Sequence, residues 1–130
     1  MSTIIEKHPN LLDDKLLTIY NDINDNILTY HRLPFKLFET LRTPERQQYL
    51  FDQGNSKTLN SRHLPNKLGK SEAMDLVLYI DNKPTWDLKY KFYYDFLGAI
   101  VLHKYKNELR WGGNFKSFYD GPHYELLNKT

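Results

Sequence analysis

Apolar residues recur at steps of three and four over residues 10–31. Leu12, Leu16, Ile19, Ile23, Ile27 and Tyr30 form one stripe, the period of an amphipathic helix. Asn10 is the expected N-cap. Asp13 and Asp14 fall in the first turn, where they favour the helix dipole, and Pro34 bars continuation. Over 35–41 the period drops to two, with Phe35, Leu37, Glu39 and Leu41 on one side and Lys36, Phe38 and Thr40 on the other, which predicts a strand. Thr43 and Pro44 supply the N-cap and first position of a second helix that Gly54 ends. Residues 55–72, rich in Asn, Ser, Lys, Pro and Gly, read as loop. A second strand is expected over 73–80, with Met74, Leu76, Leu78 and Ile80 facing one way and Ala73, Asp75, Val77 and Tyr79 the other. The segment Asp81-Asn82-Lys83-Pro84 reads as a turn, 87–106 as a third helix, and 108–111 and 122–127 as short strands joined through Gly112-Gly113. Helices and mainly antiparallel strands in this irregular order predict an α+β fold: a small sheet with helices packed on one face and a ligand-bearing site on the other.

Length and composition narrow the picture. The 130 residues suit one domain over 1–130, with no room for a separate wall-binding domain. Cysteine is absent, so disulfides, thiolate metal sites and a cysteine nucleophile are all excluded. A net charge of +2 without a basic, aromatic-laced stripe gives no argument for nucleic acid, and no nucleic-acid partner is expected. The longest apolar run, Phe96 to Leu102, is far short of the ~20 residues that cross a bilayer, so no membrane insertion is expected. The start Met-Ser-Thr-Ile-Ile-Glu-Lys-His lacks the pattern of a secretory signal, and a protein that first stays in the cytoplasm is expected. Ten Tyr, seven Phe and two Trp can bury much apolar area, and some could line a groove for a sugar or peptide.

Three positions carry candidate chemistry: His63, Asp75 and His123. Asp75 is a carboxylate inside an apolar strand, which is costly to bury unless it is paired or bound to a metal. His123 shares a strand face with Glu125, while Tyr124 and Leu126 point the other way. His, Asp and His are the ligand types of a catalytic zinc site that keeps a fourth position open. Such a site also needs a nearby carboxylate to move protons, and Asp120, three residues before His123, is placed for it. Each residue alone reads as structural or exposed; the set, in this order, carries the argument. His8, His31 and His103 have no motif and read as surface or structural.

The ordered motifs resemble the LAS-type zinc peptidases, a group of D-alanyl-D-alanine carboxypeptidases and dipeptidases, phage L-alanyl-D-glutamate endopeptidases and the hedgehog zinc domain. The matching segments are Ser61-Arg62-His63, Ala73-Met74-Asp75-Leu76, Trp111-Gly112-Gly113 and Asp120-Gly121-Pro122-His123, preceded by Arg42-Thr43 with Gln47 a few residues on. The resemblance runs from about Phe38 to Leu126. It implies zinc on His63, Asp75 and His123, Asp120 as general base, and Arg42 as the charge that steadies the oxyanion. It implies Gln47 and Ser61 in peptide binding. It further implies a monomeric enzyme acting on peptidoglycan stem peptides, with Asp120 pointing to the phage L-Ala–D-Glu endopeptidases and hence to an endolysin held in the host cytoplasm until release to the wall. D-Ala–D-Ala carboxypeptidase activity and a non-catalytic zinc domain that binds the cell wall remain open beside it. Two departures stand out. His63 and Asp75 are twelve residues apart, an apparent five-residue insertion within Leu64 to Glu72, with Ser71 where a glycine is usual. The usual Gly-Gly-Asp-Trp reads Gly112-Gly113-Asn114-Phe115.

Overall fold

Asp75, the acidic residue inside the apolar run, lies on the central strand of an antiparallel sheet. The computed structural model describes residues 3–127. Its strands are β1 (Phe35–Glu39), β2 (Ala73–Ile80), β3 (Lys83–Thr85), β4 (Leu109–Trp111) and β5 (His123–Leu126). They run in the order β1-β2-β5-β4, and β3 pairs with the C-terminal end of β2. The helices are α1 (Asp14–Asp22), which continues through a π turn (Ile23–Leu28) into the short α2 (Thr29–His31), then α3 (Pro44–Asp52) and α4 (Lys91–Tyr105). The predicted α+β class is the observed one.

The periodic stripe does what its spacing requires. Leu16, Ile19, Ile23 and Ile27 pack with Met74, Leu76 and Leu78 of β2, Tyr124 and Leu126 of β5, and Leu97 and Val101 of α4. Each such side chain, taken from water, contributes about 1.5–3 kcal/mol. Tyr94 ties α4 to the sheet: its hydroxyl donates to the Thr85 carbonyl at 2.6 Å and accepts the Leu78 N–H at 3.0 Å. α1 and α4 therefore cover one face of the sheet. Asp75, His123 and Glu125 occupy the other, where α3 borders them through Arg46 and Leu50.

Local signals and long-range pairing disagree at three places. The first helix starts at Asp14 with Asp13 as N-cap, accepting the Lys15 N–H at 3.0 Å, and Asn10 does not cap it. Residues 9–11 instead form a 3-10 turn, because Leu11 and Asp13 exchange backbone hydrogen bonds with Ser71 and hold the chain extended between them. The turn expected at 81–84 is shorter: Asp81 and Asn82 take left-handed conformations, φ 52° and 64°, the two-residue hairpin geometry, and Lys83–Thr85 goes on as an edge strand where Pro84 is tolerated. Third, a β-bulge at Phe38 shifts the register, so Leu37 pairs with Leu76 but Glu39 pairs with Asp75. Glu39 thus leaves the face of Phe35 and Leu37, where simple alternation put it.

The Trp-Gly-Gly motif has a packing reason. The Trp111 indole lies against Gly98 of α4 and against Gly113, and a Cβ at either position would overlap the ring. We expect Gly98→Ala to destabilise the fold by about 1–3 kcal/mol through overpacking. Chemical denaturation should show a lower midpoint with an unchanged m-value; an unshifted midpoint would mean that α4 and Trp111 are not in contact.

Candidate active site

Strand register assembles the centre of the site. Asp75 stands opposite Glu39 on one side and His123 on the other, and in the next row Glu125 stands opposite Ala73 and Arg110. His63 comes from the loop before β2. Ser61 Oγ accepts the His63 N–H at 3.1 Å, a short side-chain turn, and the His63 carbonyl accepts the Arg42 N–H at 2.9 Å. The ring is 1% exposed.

The hydrogen bonds around the two imidazoles determine which nitrogens are left for a ligand. His63 Nδ1 lies 2.7 Å from the Thr40 carbonyl, which can only accept, so Nδ1 carries the proton and Nε2 faces Asp75 Oδ1 at 3.2 Å. His123 Nε2 lies 2.7 Å from Glu125 Oε1 and donates to it, leaving Nδ1 toward Asp75 Oδ1 at 3.4 Å. Two imidazole lone pairs and a carboxylate pointed at one another repel unless a proton or a cation sits among them. The three donors lie within 4.8 Å of one another and could hold a metal ion. Backing of each imidazole by a carbonyl or carboxylate is the usual outer shell of a metal-binding histidine.

Without a cation, a proton on His123 takes that place. Burial opposes the His123 imidazolium, but hydrogen bonds to Asp75 and Glu125, with the charges of Asp75 and Asp120, raise it to about 10. Burial opposes ionisation of Asp75 as well, yet His63 and His123 hold its carboxyl well below the usual carboxylate range. Asp120 moves the other way: burial, then the neighbouring Asp75 charge, pushes it up to about 6. Glu39 is 2% exposed, and burial pushes its carboxyl up. Both Arg42 and Arg46 bond to it through Nε and Nη2, and they keep it below its ordinary value.

These groups lie on a cleft of about 850 Å³. Phe38, Trp86, Phe115 and Phe118 give it aromatic walls. His63, Asp75, His123, Asp120, Arg42 and Ser61, all singled out from the sequence, line it. Gln47 does not: it is 1% exposed, accepts from Arg42 Nη1 at 2.8 Å, and donates to Ser56 and Thr58. Its contact with the site runs through Arg42. The Asp120–His123 turn is held by the Trp-Gly-Gly segment, as Trp111 Nε1 donates to the Gly121 carbonyl at 2.7 Å and the Gly112 carbonyl accepts the Asp120 N–H at 3.0 Å. A Cβ at Gly112 would overlap the Asp120 carbonyl, so the approach requires glycine.

The insertion lies off the cleft, whereas the second departure is divided: Asn114 stays out of the cleft and Phe115 forms part of its wall. The insertion closes on itself around Asn66, whose carbonyl oxygen accepts the Leu68 and Lys70 N–H groups while its amide donates to Asp13 and Glu72. It docks at the start of α1, and residues 64–72 do not line the cleft. Asn114 is half-buried. His8, His31 and His103 are exposed. Sequence reasoning missed Glu39 and Arg46. Their spacing, three residues before and four after Arg42, gives no helical or strand signal until the bulge is known.

No protein-family model matches the chain. Over 94 residues, 72% of the chain, it is 30% identical to an L-alanyl-D-glutamate peptidase of Listeria phage A118. It spans only 30% of that relative's length. Its fold is similar to the crystal structure of the Serratia marcescens L-Ala D-Glu endopeptidase ChiX, with TM-score 0.70 and 26% identity, covering 97% of this chain and 92% of that one.

The raised His123 value makes metal uptake visible as proton release. In the metal-free protein the imidazolium persists above its ordinary range of ~6.5, so its stabilising contribution is complete below that value and is lost as pH rises through about 10. A cation that takes Nδ1 must displace the proton. We expect release of about one proton per zinc bound between pH 7.5 and 9, followed with an indicator dye in weak buffer. Binding without release would show that Nδ1 is not a ligand.

Proposed function

We propose, for a chain that belongs to the LAS-type family of peptidases, zinc-dependent hydrolysis of the L-Ala–D-Glu bond in peptidoglycan stem peptides. The observation that carries the reading is the convergence of His63 Nε2, an Asp75 carboxylate oxygen and His123 Nδ1 on one wall of a cleft that also holds Asp120 and Arg42. The relatives it resembles bear the names of peptidases acting at that bond. Its role would be that of a monomeric lysis enzyme that meets the wall after release from the cytoplasm. Among the described residues, no helix is long and apolar enough to cross a membrane.

His63, Asp75 and His123 fit zinc because the first and third each turn one ring nitrogen to an outer acceptor and the other toward Asp75, whose carboxyl the two imidazoles hold well below the usual carboxylate range. Zinc held there supplies Lewis acidity and makes hydroxide accessible near neutral pH. Asp120 does the proton work: as a carboxylate it accepts a proton from the attacking water, and it returns that proton to the departing amine nitrogen as the peptide C–N bond breaks. Its elevated value suits the task, since a stronger base takes the proton more readily. Arg42 places a guanidinium against the cleft, 3.8 Å from Asp75 Oδ2, where positive charge opposes the negative charge that grows on the carbonyl oxygen. Glu39 and Gln47 hold that guanidinium in place. Ser61 shapes the turn that delivers His63 and lies at the cleft wall.

Asp120→Asn keeps the shape and removes the base. With zinc content unchanged, we expect kcat on purified peptidoglycan to fall by about 10²- to 10⁴-fold, measured as new amino groups. Mass spectrometry of the released muropeptides should show free L-Ala carboxyl and D-Glu amino ends; loss of a terminal D-Ala instead would mean a carboxypeptidase. A wild type that binds zinc and the wall but cleaves neither bond would be a binding domain.

Because Asp120 must be ionised to accept a proton, activity should rise with pH on the acid side. A bound cation favours the carboxylate, so the half-maximal point should lie at or below about 6. In Asp120→Asn that limb should vanish from the residual rate; a limb that survives the substitution belongs to another group.

A further inference from the structure

Four guanidinium groups border the cleft, and three of them are committed to neighbours. Arg42 and Arg46 share the Glu39 carboxylate, with their remaining Nη1 donors on Gln47 Oε1 and the Thr3 carbonyl. Arg62 pairs with Glu72 at 2.7 Å and donates to the Leu126 carbonyl at 3.0 Å. Arg110 is held differently. Its carboxylate contact, Glu125 Oε2, is at 3.4 Å, longer than the about 2.7–2.9 Å of a charge-assisted bond. The other Glu125 oxygen is taken by His123 Nε2. The Arg110 side chain remains 56% exposed.

An aromatic ring positions this cation. The Arg110 guanidinium carbon lies 5.1 Å from the centroid of Phe115, and the Phe115 ring lies 5.6 Å from the ring of His123. Phe118 packs on Phe115 at 5.6 Å and supports it. Stacking on the ring leaves the planar fork of N–H donors at the guanidinium edge available to an acceptor. The arrangement sets a planar cation one ring away from a proposed metal ligand, on the cleft wall.

The proposed substrate needs such a group. A D-glutamate whose nitrogen belongs to the scissile bond continues the chain through one carboxyl and keeps the other as an anion, a few bonds from the reacting carbonyl. Glu39, Asp75, Asp120 and Glu125 also line the cleft, and Arg42, Arg46 and Arg62 are engaged with carboxylates, so the exposed fork of Arg110 is the group placed to meet a further anion. We propose that Arg110, seated on Phe115, receives the free carboxylate of the D-glutamate residue and makes the enzyme select stems in which that carboxyl is ionised over stems in which it is amidated. This rests on the peptidase reading given above. Amidation keeps the shape of the group and removes its charge, so it isolates the interaction.

The test uses the zinc-loaded protein and two synthetic stem peptides that differ only in the free carboxyl or carboxamide of the D-glutamate. The readout is the ratio of kcat/KM values. Wild type should favour the carboxylate peptide by about tenfold or more, the range for a hydrogen-bonded charge. In Arg110→Gln the ratio should collapse toward one, and in Arg110→Lys, which keeps the charge without the fork, it should fall in between. Phe115→Leu should lower the ratio with Arg110 intact, which separates placement of the cation from its presence. A wild type without preference, or an Arg110→Gln enzyme with the wild-type ratio, overturns the subsite while leaving the peptidase reading standing. A wild type that cleaves neither peptide overturns the peptidase reading, and the subsite with it.

Discussion

The site is organised by one electrostatic constraint: Asp75 is a carboxylate in the middle of a sheet, with another carboxylate, Glu39, paired beside it. Two such charges at cross-strand distance repel, and removing either from water is costly. The fold offsets this from both sides. Two arginines close over Glu39, and one of them reaches Asp75 at 3.8 Å. On the other side two imidazoles face Asp75, each held from behind by an acceptor. What remains between them is a position for positive charge, which a proton on His123 takes in the metal-free protein and a metal ion could take instead. A cation there would balance the buried charge of Asp75.

A second layer keeps this geometry in place. The Asp120–His123 turn leaves the sheet face at the angle that brings Asp120 to the cleft, and it is held by the Trp111 indole N–H and the Gly112 carbonyl. Trp111 lies between two glycines and reaches α4, so the helix that buries the far face of the sheet also braces the turn on the near face. Motifs separated in sequence are thus parts of one packed unit. The small residues in it are there for close approach, since two of the three glycines involved lie flat against the indole ring and the third against the Asp120 backbone.

The chain matches nearly the whole of the Serratia enzyme's fold but only a part of the phage relative. The apparent insertion folds against the start of α1 and stays out of the cleft, closed on itself by Asn66 and its own backbone.

Most of the elements, and the candidate site residues, could be read from the linear order of residues because their signals are local. A helical stripe, a two-residue alternation and Thr43-Pro44 each act within a few residues of chain, and His63, Asp75, His123 and Asp120 stand out as polar groups in apolar or glycine-proline surroundings. The shared face of His123 and Glu125 was equally legible, since strand alternation determines it. Long-range pairing decided the rest. Ser71 captured the segment before α1 and moved its cap from Asn10 to Asp13. The bulge at Phe38 turned Glu39 to the site, and with it gave Arg46 a partner and Gln47 a buried place behind Arg42. A bulge depends on how one strand registers against another, so no periodicity within β1 could announce it. The placement of Arg110 over Phe115 likewise depends on β4 pairing with β5. Local sequence named the candidate groups; only the pairing of distant strands decided which of them face one another.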